Sequence, residues 1–273
     1  MTIEELITYG QKYVHKTQAQ MLLAAMLNVN PLELLLILNR IIDKETCELY
    51  KEKIFQIKEN YPIQYVIGNV NFYGYLFKVN KNVLIPRFET EELVENVLQY
   101  IKEYFLYPIS VIDLGCGSGA IGITLKKKIN EIDVTLLDIS ESALEVAKEN
   151  ANNLGVCVNF IHSDMWENVK KKYDVIVSNP PYIKDDEEIE EIVKNNEPTI
   201  ALYGGVDGLD CYRKIREKLL EHVNERFLLA MEIGDQEKED VINLFNDIEK
   251  VKIIAKKDLT GRDRMIFVMR NLV

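Results

Sequence analysis

No stretch of about 18 apolar residues occurs in this 273-residue chain, so no membrane-spanning helix is expected. The first residues, MTIEELITYG, carry acids where an export signal would begin with basic residues and an apolar block, and no signal peptide is expected. Cysteine is scarce. Cys47, Cys116, Cys157 and Cys211 stand far apart and form no CxxC pair, which argues against structural zinc or a disulfide framework and fits a reducing cytoplasm. Histidine is scarcer still. His15, His162 and His222 fall outside the chemical motifs described below, so no imidazole base is expected. Basic charge is outnumbered, with a net charge of -11. Proteins that grip nucleic acid by its phosphates are usually basic, so the balance disfavours direct contact with DNA or RNA. What the chain does have is apolar content, at 47%, enough to build the core of one enzyme domain plus a small accessory domain.

Residues 1–61 read as a helical bundle. Thr2 and Glu5 have capping-box spacing ahead of Ile3, Leu6, Ile7, Tyr13 and Val14, which share a face. A second helix runs through Met21 to Leu27. Asn30 and Pro31 start a third, with Leu34, Leu35 and Leu38 on its apolar side, and a fourth spans roughly Asp43 to Lys58. Residues 62–88 read as a hairpin connector with strands at Val70 to Tyr73 and Tyr75 to Val79. Residues 89–273 form the third segment. After a helix from Glu89 to Phe105, strands are predicted at Ser110–Leu114, Val134–Asp138, Val158–Ile161, Asp174–Ser178, Phe227–Glu232, Val251–Ala255 and Met265–Met269. Helices between most of them predict an α/β, Rossmann-like, doubly wound sheet. The short link from Lys256 to Arg264 cannot carry a helical crossover, so the last strand should run antiparallel.

Two motifs carry chemistry. The first is Asp113-Leu114-Gly115-Cys116-Gly117-Ser118-Gly119, which follows the first strand of the sheet and opens a helix. Its glycines permit a tight turn and close approach of a ligand. Asp138 ends the next strand, about 20 residues on, where an acid accepts hydrogen bonds from ribose hydroxyls. Gly117, Gly119 and Gly122 also satisfy a dinucleotide-binding spacing, which alone is a weak signal.

The second motif is Asn179-Pro180-Pro181-Tyr182, at the C-terminal end of the fourth strand of the sheet. Two prolines remove two backbone donors, leaving the Asn179 side-chain oxygen and the Pro180 carbonyl as acceptors. Together they fit the two hydrogens of a planar NH2 group, with the Tyr182 ring stacking behind it. Hydride transfer has no use for such a motif, and it is the reason to prefer a methyl-transfer enzyme. An amide nitrogen is a poor nucleophile, so alignment and charge stabilisation must supply the catalysis. The motif names the nitrogen type better than the substrate. A DNA or RNA exocyclic-amine methyltransferase is the rival reading.

These motifs, together with Val83-Leu84-Ile85-Pro86-Arg87-Phe88-Glu89-Thr90-Glu91, Glu197-Pro198-Thr199-Ile200-Ala201-Leu202, Gly204-Gly205-Val206-Asp207-Gly208-Leu209, Glu232-Ile233-Gly234-Asp235-Gln236 and Lys257-Asp258-Leu259-Thr260-Gly261-Arg262-Asp263-Arg264, resemble the release factor glutamine methyltransferases (the PrmC/HemK family) across most of the chain. Phe88 stands where that family usually has proline. The resemblance implies a class I S-adenosylmethionine-dependent methyltransferase fold with a small N-terminal helical domain that docks substrate. It implies S-adenosylmethionine contacts at Gly115, Cys116, Gly117, Ser118, Gly119, Asp138 and Asn179 and at the residue after Asp164. That residue is Met165, with Trp166 next, and either could flank the adenine. Asn179, Pro180, Pro181 and Tyr182 would line the substrate slot, with Asn179, Pro180 and Tyr182 catalytic. Arg87 and Glu89 would either order the site mouth or form a surface ion pair. No metal is implied. The expected partners are peptide chain release factors, methylated on the side-chain nitrogen of the glutamine in their Gly-Gly-Gln segment by a cytoplasmic monomer. The six acids of Asp185–Glu191 either are simply solvated or dock a basic partner.

Overall fold

In the computed structural model, which describes residues 1–272, Thr2 and Glu5 form the expected reciprocal cap. The Glu5 amide donates to Thr2 Oγ1 at 3.2 Å and the Thr2 amide to Glu5 Oε2 at 2.9 Å. Helix α1 (Ile3–Gly10) starts there. It stops earlier than the apolar pattern suggested, so Tyr13 and Val14 lie beyond it. Gly10 sits so close to Ala19 and the Tyr50 hydroxyl that a side chain there would collide with both. Then come α2 (Lys16–Leu27), α3 (Pro31–Leu34), α4 (Lys44–Lys58) and α5 (Ile63–Ile67). The third helix is a single turn, although Asn30 and Pro31 cap it as expected. The carbonyls of Leu38 and Arg40 accept from the Glu4 and Ile3 amides, drawing this segment into an extended bridge instead of a helix. Leu35 is consequently exposed. The stretch 62–88 likewise divides. Pro62 opens α5, and Gly68 closes it with φ +88° and its amide bonded to the Gln64 carbonyl at 2.8 Å. The hairpin is limited to β1 (Asn69–Phe72) and β2 (Tyr75–Lys78).

Residues Met1–Asn69 and Ile189–Asn196 form one compact unit, and Val70–Glu188 with Glu197–Val273 the other. The first therefore includes a short segment from within the 89–273 stretch. Its core joins Ile3, Leu6, Leu22, Leu23, Tyr50 and Ile54. The Tyr50 hydroxyl, buried with the rest, donates to the Ala19 carbonyl at 3.1 Å.

The second unit contains α6 (Phe88–Tyr104), β3 (Ser110–Leu114), α7 (Ala120–Lys128), β4 (Asp133–Asp138), α8 (Glu141–Asn153), β5 (Asn159–His162) and β6 (Tyr173–Ser178). After α9 (Glu191–Asn196) of the first unit, it continues with α10 (Asp210–His222), β7 (Val223–Glu232), α11 (Lys238–Phe245), β8 (Val251–Lys257) and β9 (Asp263–Arg270). The sheet order is β5-β4-β3-β6-β7-β9-β8, with the first five strands parallel and β9 antiparallel to both neighbours. All seven strands lie where the hydrophobic pattern put them, and the reversed strand is the last. Both faces are covered, which is why the strands read as nearly continuous apolar runs. Val111, Val134, Leu136, Val175 and Val177 face the core under α6, α7 and α8. Ile112, Leu114, Leu137, Ile176 and Leu229 face the core under α10 and α11.

One polar residue inside this unit fixes the hairpin to the glycine loop. Asn150 of α8 is fully buried. It accepts from the Lys78 amide at 2.7 Å and donates to the carbonyls of Lys78 at 3.0 Å and Ser118 at 2.9 Å. Asn150→Ala strands three backbone groups, and the expected loss of stability is about 2–4 kcal/mol. Urea unfolding measures it, and a change below the scatter of the curves refutes the role.

Candidate active site

Strand order reverses between β3 and β6. The connection leaving β3 turns toward β4 and the one leaving β6 turns toward β7, so a crevice opens above their C-terminal ends. Both motifs sit there. The Ser178 hydroxyl, fully buried, donates to the Leu114 carbonyl at 2.7 Å and pins the two strand ends together. A cleft over this point is lined by Gly115, Cys116, Gly117, Ser118, Asp138, Met165, Asn179, Pro180 and Pro181 among others.

The glycine loop turns through left-handed backbone at Gly115, Gly117 and Gly119, with φ of +70°, +54° and +80°. A Cβ on Gly115 or Gly117 would meet nothing within 4 Å, so the backbone itself forms the cleft wall there. Gly119 does not line the cleft. It precedes α7, where a Cβ would lie 2.7 Å from Ile123 and 3.1 Å from Leu136, so its role is close packing of helix on sheet.

Two buried acids hold this loop. Asp138 accepts from the Gly117 amide through Oδ2 and from the Ser140 amide through Oδ1, both at 2.8 Å. Each oxygen keeps a further lone pair for the cleft. Burial raises its pKa above the usual carboxylate value. Asp113 accepts from the Gly122 amide at 2.9 Å, tying α7 to β3, and its other oxygen has no partner among the described residues. Burial, with the charge of Asp138 adding to it, pushes Asp113 up to about 7.

Beyond Asp138 the wall continues through Ile139, Ser140, Ala143, Asp164, Met165, Cys211 and Lys214. Met165 reaches the cleft from a left-handed backbone, φ +43°. Trp166 does not. It is buried in the core, its Nε1 donating to the Ile215 carbonyl at 2.9 Å and its ring stacked on His222 at 5.0 Å. Lys214 bonds both oxygens of Asp164, at 3.0 and 2.8 Å, and closes that end. Lys214 and Cys211 carry no sequence signal, because they lie on an ordinary amphipathic helix and reach the cleft only through packing.

On the opposite side, Asn179 donates through Nδ2 to Thr90 Oγ1 at 3.2 Å, and Thr90 donates to Glu232 Oε2 at 2.7 Å. Asn179 Oδ1 and the Pro180 carbonyl engage no other group among the described residues. Tyr182 is absent from the cleft wall. It packs, partly buried, against the core beside Gly234, where a Cβ would stand 3.2 Å from its ring, and desolvation raises its phenol to about 12. The motif backbone is braced by the glycine-rich loop after Tyr203. Ile183 donates to the Leu202 carbonyl at 3.1 Å and accepts from the Gly204 amide at 2.8 Å, and side chains at Gly204 or Gly208 would strike the Pro181 or Tyr182 carbonyl.

Arg87 pairs with Glu197 at 2.6 Å rather than with Glu89. The Glu197 side chain is 2% exposed and also accepts from the Ile85 amide at 3.0 Å, so the pair locks the connector onto the segment that returns to the cleft. Phe88 is the first residue of α6, a position that suits proline equally well. The acids of Asp185–Glu191 are all exposed.

The chain is similar to known proteins in sequence and in fold. Residues 93–197 match the methyltransferase small domain family and residues 14–68 the PrmC N-terminal domain family. The chain is 41% identical to the release factor glutamine methyltransferase of Bacillus cereus, over 98% of this chain and 99% of that protein. It is 36% identical to that of Streptococcus pneumoniae, over 97% of this chain and 94% of that protein. A methyltransferase structure from Pyrococcus furiosus superposes with a TM-score of 0.55 at 18% identity, covering 82% of this chain and 100% of that one, a likeness of fold. The seven-stranded sheet is thus the class I methyltransferase fold.

The Arg87–Glu197 pair yields a stability prediction. Arg87→Met leaves a buried carboxylate with one amide partner. Because the arginine itself is partly exposed, the expected cost is about 1–3 kcal/mol. Combining it with Glu197→Gln should recover part of that loss. A double variant that unfolds at the temperature expected from simple addition of the two single changes removes the coupling.

Proposed function

The chain belongs to the release factor glutamine methyltransferase family, and we propose from that premise that it methylates the side-chain nitrogen of a glutamine in the Gly-Gly-Gln segment of peptide chain release factors, using S-adenosylmethionine. The observation that carries the reading is the pair of free acceptors, Asn179 Oδ1 and the Pro180 carbonyl, at the edge of a cleft whose other wall is the glycine loop. A glutamine side chain ends in NH2 with two hydrogens to donate. Two fixed acceptors can hold both.

The cleft suits the cofactor. Bare backbone at Gly115 and Gly117 admits a ligand without a side chain in the way. Asp138 has lone pairs left for hydroxyl donors, and Ile139 and Met165 offer an apolar surface for a base. When bound, S-adenosylmethionine supplies an electrophilic methyl group on a positively charged sulfur. The residues of this chain do the rest. Asn179 and Pro180 aim the amide nitrogen and stabilise positive charge as the new N–C bond forms and the S–C bond breaks. A proton then leaves the nitrogen. Until that proton leaves, the methylated nitrogen is positively charged and strongly acidic, so water suffices to take the proton and no residue is needed as a strong base. Pro181 narrows the slot, and Tyr182 supports it from behind.

We assign substrate docking to the N-terminal unit, whose Leu32, Leu36 and Ile41 are strongly exposed apolar side chains. The exposed acids of Asp185–Glu191 would favour a basic partner surface. Among the described residues no helix is long and apolar enough to cross a membrane. We place the enzyme as a monomer in the cytoplasm, without direct contact to nucleic acid.

Mass spectrometry of a release factor treated with enzyme and cofactor should show one added methyl on that glutamine, and label found only in DNA or RNA would refute the reading. In the same assay Asn179→Ala should lose roughly a hundredfold or more in kcat, with cofactor affinity changed far less. Asp138→Asn should do the reverse. An amide NH2 facing the Gly117 or Ser140 amide opens the loop, so cofactor affinity should fall roughly tenfold or more, a loss of about 1.4 kcal/mol. Calorimetry that finds equal affinity would remove Asp138 from the cofactor site.

A further inference from the structure

We propose that Glu232 and Thr90 are positioning residues that fix the Asn179 amide with its oxygen toward the cleft, so that a carboxylate touching neither substrate nor cofactor sets the preference for an NH2 group. This rests on the glutamine methylation proposed above.

The direction follows from hydrogen-bond chemistry. An ionised carboxylate only accepts. Thr90 must therefore spend its single hydrogen on Glu232, at 2.7 Å, and its oxygen is left to accept from Asn179, at 3.2 Å. The atom of Asn179 nearest Thr90 is thus the nitrogen, and Oδ1 faces the other way. Remove the carboxylate's charge and the order can invert. A protonated Glu232 donates to Thr90, Thr90 donates to Asn179 Oδ1, and the asparagine presents its own NH2 to the incoming NH2. Donor would then meet donor.

Three elements converge to make the chain. Glu232 ends β7, Thr90 lies in the first turn of α6, and Asn179 follows β6. Parallel register sets Ser178 opposite Met231, so the two following residues, Asn179 and Glu232, are neighbours by strand pairing. Thr90 and Glu232 are 3% and 2% exposed. The Tyr212 hydroxyl of α10 donates to the Glu232 carbonyl at 2.9 Å and steadies that strand end.

Burial raises Glu232 to about 7 even with the Thr90 hydrogen bond, Arg264 of β9 and Arg87 beside α6 acting to lower it. Glu89 raises it further. Tyr182 and Tyr212 also face the carboxylate, and both phenols are raised by burial and remain neutral near neutral pH. Arg264 is engaged elsewhere, with Nε on Asp258 at 3.4 Å and Nη1 on the Ile233 carbonyl at 3.1 Å. The carboxylate thus changes charge near neutrality. The oriented state exists above its pKa and is lost as pH falls through it.

The test uses the full-length enzyme, a release factor and labelled S-adenosylmethionine, with cofactor affinity measured separately by calorimetry. Thr90→Val should lower kcat roughly tenfold to a hundredfold while cofactor affinity stays within about twofold. Thr90→Ser, which keeps the hydroxyl, should recover most of the rate. Wild-type kcat should rise with pH through about 7, and Glu232→Gln should be slow with that rise abolished. Thr90→Val at the wild-type rate, or Glu232→Gln with the rise intact, overturns the inference. A wild-type enzyme that leaves release factors unmethylated overturns the proposed function and this inference with it.

Discussion

The parallel pairing of β3 with β6 is the constraint on which the site depends. Val111, Ile112, Asp113 and Leu114 run beside Val175, Ile176, Val177 and Ser178 in register, and the Ser178 hydroxyl closes the pair at its end. Because strand order reverses there, the two following loops cannot cover one another. One is the glycine turn and the other the Asn179-Pro180-Pro181 segment. Any slip in register would move both relative to each other and flip alternate side chains between the two cores. Continuous apolar burial on both faces prevents such a slip, so the packing that stabilises the sheet also aligns the chemistry.

Around that crevice the protein uses buried carboxylates as orienting acceptors. Asp113 holds the Gly122 amide, Asp138 the amides of Gly117 and Ser140, Glu197 the Ile85 amide with Arg87, and Glu232 the Thr90 hydroxyl. Each is a group that water would otherwise solvate, and each fixes one segment of the cleft wall. Most of them lack a cationic partner, and the raised pKa values of Asp113, Asp138 and Glu232 are the consequence.

Much of this was legible in the chain. Strands buried on both sides announce themselves as apolar runs, a cluster of glycines marks a left-handed turn, and two prolines after an asparagine leave a distinctive set of acceptors. What the chain left open shares a cause. The helix expected from Asn30 onward shrinks to one turn because Ile3 and Glu4, far away in sequence, claim its carbonyl groups. Gly119 stands against Ile123 and Leu136, where the missing side chain lets α7 approach the sheet closely. Tyr182 packs, partly buried, beside Gly234. In each case the local pattern was right about conformation, while a partner remote in sequence decided what the residue touches.

The sequence by itself determined the alternation of strands and helices, the reversed last strand, the glycine turn and the asparagine-proline acceptors, because these follow from backbone preferences and hydrophobic periodicity within short windows. Only the tertiary structure decided that Met165 faces the cleft while Trp166 is core, that Arg87 answers Glu197, and that Thr90 and Glu232 stand behind Asn179. Those are hydrogen bonds and contacts between residues some 50 to 140 positions apart. Their energies depend on distances of a few ångströms that strand register and helix packing set, and no short window of sequence contains both partners.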